Sequence, residues 1–366
     1  MPGNMTRRRS GLKMRRYVSA WWIGLVCVVL FVGDRAAAQE VFHCLFTGSI
    51  GGKYPIQMML GKIDNSLSGR YMYVKVGQWL TIDGSMDGTK TVVLRENDDN
   101  GKQTGIFTGR FTRGNVLEGT WTKPDGRDPM PFRLEAEPVS PSKAGSQERV
   151  GIRLKRIVVP RAQKGSTAQG DTDIQYPVLS GLADKRLLSR LQTAALPQQE
   201  FKGSLAAMKK DPWLLYVDYI VNCNRHSILD VSYRMSGSAA YPDSYDEYIT
   251  LDIKTGKPLR ASDLFLASSL PELAARINQA MQAEIQKTIQ KVDKEERPDV
   301  RRLLSTAVFT AKDMTQFTVS AQGVTFIYTF GFPHVLKAAE PGGEYFFSFA
   351  ALRPFVRRDG LLYAFL

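Results

Sequence analysis

The stretch NGKQTGIFTGRFTRGNVLEGTWTKPDG, residues 100–126, decides the fold of the first half of the chain. It holds three turn signals, Asn100-Gly101, Arg113-Gly114-Asn115 and Asp125-Gly126. The runs between them are short and rich in β-branched and aromatic residues, as strands are. Glycine and asparagine supply the positive φ that a tight hairpin needs. The same punctuation fills the surrounding sequence: 14 of the chain's 31 glycines lie between Val41 and Leu134. Further turns fall at Gly51-Gly52, Asp64-Asn65, Asp83-Gly84 and Asp87-Gly88. They divide residues 39–135 into eight expected strands, at 42–49, 54–62, 68–76, 78–83, 91–96, 104–111, 116–122 and 131–135. Strands each joined to the next by a tight turn form an antiparallel meander, which closes as a small barrel or folds as a sandwich.

Toward the N-terminus the chain changes character. Basic residues from Arg7 to Arg16 lead into an apolar run, Val18 to Val32, and then Ala36-Ala37-Ala38. That order is the pattern of a cleavable export signal at 1–38, with the mature chain starting at Gln39. Retention as a membrane anchor is the alternative, although the run is shorter than the ~20 residues a span needs. Removing 1–38 lowers the net charge from +13 to +7. A mild, dispersed excess of that size does not argue for nucleic acid. The expected location is therefore periplasmic or secreted. Two cysteines follow the signal, Cys44 and Cys223, and in an oxidising compartment they either bridge or stay as thiols.

Two near-motifs in the β-region are turns. Gly48-Ser49-Ile50-Gly51-Gly52-Lys53 has three residues between its glycines where a phosphate loop needs four, and Tyr54 replaces the required Ser or Thr. Asn97-Asp98-Asp99-Asn100-Gly101 lacks the distal Glu of a calcium loop. The aromatics Tyr71, Tyr73, Trp79 and Trp121 belong either to the core or to a stacking platform.

Toward the C-terminus, residues 136–149 are rich in Pro, Ser and Gly and read as a linker. Beyond it, 150–366 mixes strand runs with two main helices. Leu182, Leu187, Leu188 and Leu191 mark the first helix; Leu273, Ile277, Met281 and Ile285 stripe the second, opened by an expected capping box at Ser269 and Glu272. Strands are expected at 152–159, 174–179, 213–222, 227–236, 245–253, 316–320, 324–330 and 345–349, with 361–366 completing the sheet. Strands and helices that do not alternate regularly indicate an α+β domain with a mixed or antiparallel sheet.

The densest polar segment is the stretch 237–248, read as a loop between strands, with Tyr241, Asp243, Tyr245, Asp246 and Tyr248 as candidate ligand-binding residues. Tyrosines give contact area at little cost in rotamer freedom. Its carboxylates Asp243, Asp246 and Glu247 could alternatively serve acid–base chemistry on a glycoside. The three histidines, His43, His226 and His334, form no zinc spacing, and no nucleophile elbow occurs. No catalytic residue, cofactor or metal is expected.

The C-terminal part also resembles a known family. The residues that carry the likeness are Ile174-Gln175-Tyr176-Pro177, then Leu251-Asp252-Ile253-Lys254-Thr255-Gly256-Lys257-Pro258-Leu259, then Ser262-Asp263-Leu264-Phe265, and finally Gly323-Val324-Thr325-Phe326. Over roughly 170–355 the chain is similar to a bacterial extracellular domain of unknown function. That domain is found in lysozyme-sensing anti-sigma factors and beside peptidoglycan deacetylase domains. Where relatives have Gly-Gly-Ala-His, this chain reads Gly237-Ser238-Ala239-Ala240-Tyr241-Pro242, so any contact made by that histidine is not carried over. The resemblance implies an exported, non-catalytic cell-envelope protein binding a lysozyme-like protein or a cell-wall glycan. An envelope carbohydrate-active enzyme and a structural or assembly factor are the alternatives.

Overall fold

The computed structural model describes residues 41–98, 100–112, 116–142, 147–161, 170–238 and 242–366. The expected export signal at 1–38 and the candidate Tyr241 lie outside them.

Eight strands close into an antiparallel barrel, which settles barrel against sandwich. They are β1 (Val41–Ile50), β2 (Tyr54–Ile63), β3 (Ser66–Tyr73), β4 (Trp79–Met86), β5 (Thr91–Asn97), β6 (Gln103–Thr112), β7 (Val116–Thr122) and β8 (Met130–Ala136). Closure comes from β1 pairing with β8, from Phe46 opposite Ala136 to Ile50 opposite Phe132. Alternation sends Phe46, Met58, Leu60, Leu94, Phe107 and Leu134 into one apolar interior. A barrel this small brings backbones very close where strands bend. A β-carbon on Gly119 would stand 2.1 Å from the Thr108 carbonyl oxygen, so only glycine fits there.

The second half holds a six-stranded sheet and a three-stranded one. The larger sheet contains β9 (Gly151–Val159), β10 (Thr172–Ser180), β11 (Leu214–Arg225), β12 (Ile228–Ser238), β13 (Pro242–Asp252) and β14 (Lys257–Pro258), in reverse order across the sheet. Its β10–β11 pair is parallel and the others antiparallel, so the sheet is mixed as expected. The parallel crossover carries helices α1 (Lys185–Ala194) and α2 (Leu205–Lys210). Asp184 caps α1 by accepting from the Arg186 and Leu187 amides at 2.8 and 3.0 Å. After the sheet come α3 (Ala261–Leu264), α4 (Leu270–Lys291) and α5 (Arg297–Leu304). Strands β15 (Phe317–Val319), β16 (Gly323–Ile327) and β17 (Glu344–Ser348) form the small sheet, followed by α6 (Phe349–Leu352).

The stripe Leu273, Ile277, Met281 and Ile285 is buried on α4 as its spacing predicts. Three local expectations are corrected. Ser269 makes no cap: its hydroxyl donates to the Leu266 carbonyl at 2.8 Å because a preceding turn of 3₁₀ helix absorbs it, and Glu272 pairs with Arg276. Residues Leu361–Phe365 form a 3₁₀ helix rather than a strand. The β11–β12 turn is His226-Ser227, both at positive φ (50° and 66°), so the hairpin runs further than the expected turn at 222–226.

Glu137, Pro138 and Val150 bind the halves together locally. Glu137 is 5% exposed and its carboxylate accepts from the Asn224 amide at 2.8 Å and from Arg225 Nε and Nη2 at 2.9 and 2.7 Å. The Asn224 side chain donates to the Pro138 and Val150 carbonyls and accepts from the Val150 amide. On the barrel side, the Glu137 amide donates to the Leu45 carbonyl at 2.9 Å. Further along the joint, His43 on β1 pairs with Asp218 on β11, and Arg70 on β3 pairs with Glu344 on β17 at 2.7 Å. Among the described residues no helix is long and apolar enough to cross a membrane.

Candidate functional site

Strand pairing runs to the tip of the β12–β13 hairpin, Ser238 opposite Pro242. The stretch read as a loop over 237–248 is therefore mostly strand. Alternation then divides the candidate residues between two faces. Asp243, Tyr245 and Glu247 lie on one, Asp246 and Tyr248 on the other.

On the first face, the Tyr245 ring stacks on Trp213, centroids 5.5 Å apart and planes 28° from parallel. Both rings are half-buried. The Tyr245 hydroxyl donates to Glu200 Oε2 at 2.8 Å, and burial followed by that carboxylate pushes its pKa up. Asp243 is exposed and, among the described residues, its Oδ1 accepts from the adjacent Ser244 amide at 2.8 Å. Glu247 is buried under the end of the α1 crossover and accepts from the Gln198 and Gln199 amides at 2.6 and 3.2 Å. Burial raises its pKa, and the two amides oppose that.

On the second face, Asp246 is held bidentate by Arg234 of the paired strand, at 2.8 and 2.7 Å. Tyr248 turns toward the barrel and lines a narrow cavity with Arg70, Trp79, Asn222, Ser232 and Glu344. The Arg70 guanidinium sits over the Trp79 ring, 4.2 Å from its centroid. That cavity measures about 20 Å³, room for one water and far too little for a sugar ring.

Asp230 and Glu96 are buried away from the hairpin face. Asp230, fully buried, accepts from Thr250 Oγ1 (2.6 Å), Asn222 Nδ2 (2.8 Å) and the Val319 amide (2.8 Å), pinning the large sheet to the small one. Burial pushes its pKa up to about 7 against those three donors. Inside the barrel, Glu96 accepts from Tyr71 (2.6 Å), Trp121 (2.8 Å) and Thr104 (2.5 Å). Tyr71 and Trp121 are thus core residues, Trp79 is covered by Arg70, and Tyr73 is half-buried against Tyr71. Cys44 and Cys223 are free thiols, and burial pushes the Cys44 pKa up to about 11. Among the described residues no group of three or more His, Cys, Asp or Glu side chains could hold a metal ion.

Sequence reading missed Trp213, Glu200, Arg234 and Arg70. Arg234 lies on β12, Arg70 on β3 of the barrel, and Trp213 and Glu200 in the segments before β11 and between α1 and α2, so tertiary packing assembles them.

No protein-family model and no curated protein matches the chain. Among solved structures it is similar to a DUF3298 family member from Bacteroides fragilis, at 12% identity and a TM-score of 0.38 over 57% of this chain and 95% of that one. It is also similar to a DUF3298 family protein from Pseudomonas aeruginosa, at 16% identity and a TM-score of 0.39 over 58% of this chain and 97% of that one.

Proposed function

We propose that the chain is an exported, non-catalytic cell-envelope binding protein that takes a lysozyme-like protein or a cell-wall glycan at the β12–β13 hairpin. The observation that carries this reading is the Trp213–Tyr245 stack, two half-buried rings fixed by the Glu200 hydrogen bond. Rigid aromatic surface offers contact area with little entropy left to lose, and such residues concentrate binding energy. Exposed Asp243 beside it suits a cationic partner. The order of basic, apolar and small residues over 1–38 supports export to the periplasm or beyond.

The carboxylates favour binding over glycoside hydrolysis. Asp246 is occupied by Arg234 and Glu247 by backbone amides. Asp243 and Glu247 share a face but sit four residues apart, roughly 13 Å along a strand, wider than the 5–10 Å that flanks a glycosidic bond.

Calorimetry of the chain against lysozyme and, separately, soluble cell-wall fragments tests the proposal. Tyr245→Ala and Trp213→Ala should each weaken binding by about 1–3 kcal/mol when measured well below Tm, which both variants lower because the rings pack against the core. Asp243→Asn should slow association at low salt only. Undiminished binding by all three variants, or binding of neither ligand by the parent, sinks the assignment. The export half is tested by N-terminal sequencing of the secreted chain, which should begin at Gln39.

A further inference from the structure

Strand β9 ends the six-stranded sheet, bonded to β10 on one side. Its outer side is engaged at its start, where the Ile152 amide donates to the Val139 carbonyl at 2.8 Å. Backbone groups in a strand point alternately inward and outward, so Leu154, Arg156 and Val158 share the outward direction of Ile152. Beyond Ile152 no described strand takes them up. Leu154 and Val158 are 44% and 49% exposed on one face, and Arg153 and Lys155 are exposed on the other. Arg156, between the two apolar residues, is already held by Asp173 at 2.7 to 3.0 Å. Arg153 and Lys155 form no ion pair among the described residues.

We propose that β9 is a docking edge for an extended segment of another protein that alternates apolar and acidic residues. The backbone of that segment would continue the sheet through the outward groups of Leu154, Arg156 and Val158. Its apolar side chains would cover Leu154 and Val158, while its carboxylates met Arg153 and Lys155. A second copy of this chain fits poorly, because pairing two β9 strands would bring cations against cations. The edge lies apart from the β12–β13 hairpin, so this proposal stands or falls independently of the ligand proposed there.

A labelled nine-residue peptide alternating Glu and Val is the probe, read by fluorescence anisotropy against the chain. Leu154→Pro removes an amide that faces outward and leaves the β10 ladder intact, so it should weaken the peptide by at least about tenfold with Tm little changed. Arg153→Glu with Lys155→Glu should do the same and create affinity for a Lys–Val peptide. Amide exchange in the unmodified chain gives a reading free of folding effects: Leu154 and Val158 should gain protection when the peptide is added. No binding, no gain in protection, or equal binding by a Glu–Val peptide interrupted with proline would overturn the proposal. So would a dimer that Leu154→Pro dissociates, since the occupant would then be a second copy.

Discussion

His43 and Asp230 pull stability in opposite directions over one pH window. Burial, reinforced by Arg234, lowers the His43 pKa to about 4 from 6.5, so the ring meets Asp218 as a neutral hydrogen-bond donor. As pH falls below 6.5 the unfolded chain gains a proton there and the native chain does not, so stability is lost toward pH 4. Asp230 is raised to about 7 from 3.8, so its stabilising contribution is whole below 3.8 and lost as pH rises toward 7. At their limits the shifts amount to roughly 3 kcal/mol for His43 and roughly 4 kcal/mol for Asp230, and their slopes oppose each other between about pH 4 and 6.5. The His43 and Asp230 contributions to urea unfolding of the parent should therefore largely offset each other there. Asp230→Asn should make stability rise with pH and His43→Gln should make it fall; three parallel profiles would refute both titrations. The His43 ring also explains Gly61, where a β-carbon would stand 2.3 Å from Nε2. Gly61→Ala should cost about 2–3 kcal/mol, and most of that should disappear in a His43→Ala background.

At the scale of elements, legibility followed the kind of signal. The barrel strands announced themselves because glycine turns and period-two runs are local. The α4 stripe did so because its period is 3.6. The β11–β12 turn was displaced in the reading since His226 and Ser227 carry no turn signature, yet both adopt left-handed backbone. Ser227→Gly removes a side chain from that conformation and should raise stability by about 1 kcal/mol, read as a shift in urea midpoint. The hairpin candidates stand out by composition, and Tyr245, Asp246 and Tyr248 lie on β13. What could not be read was their division between two faces, or the partners Trp213 and Arg234. The first depends on where strand pairing starts and the second on tertiary neighbours, and neither is written in nearby residues. The helical end at Leu361–Phe365 was missed because five apolar and aromatic residues suit strand and 3₁₀ helix alike.

At the scale of the molecule, the joint between barrel and sheets rests on a few buried charges. Glu137→Ala would leave Arg225 without its carboxylate and should cost about 3 kcal/mol. Limited proteolysis near Lys143 should give two resistant fragments that still elute together, because Glu137–Arg225 and Arg70–Glu344 span the cut; separate elution would refute a joint of that strength. The closed barrel has one more consequence, for the order in which the chain assembles. Its closing seam joins residues 82 to 90 apart, Ile50 to Phe132 and Phe46 to Ala136. A chain that emerges N-terminus first delivers β1 before the rest, so that strand waits with an unpaired edge until β8 emerges, and such distant pairing is slow. Glu137 is the residue that follows β8. The clamp to the second half is thus set only when the barrel shuts, so docking of the two halves through Glu137 waits on ring closure.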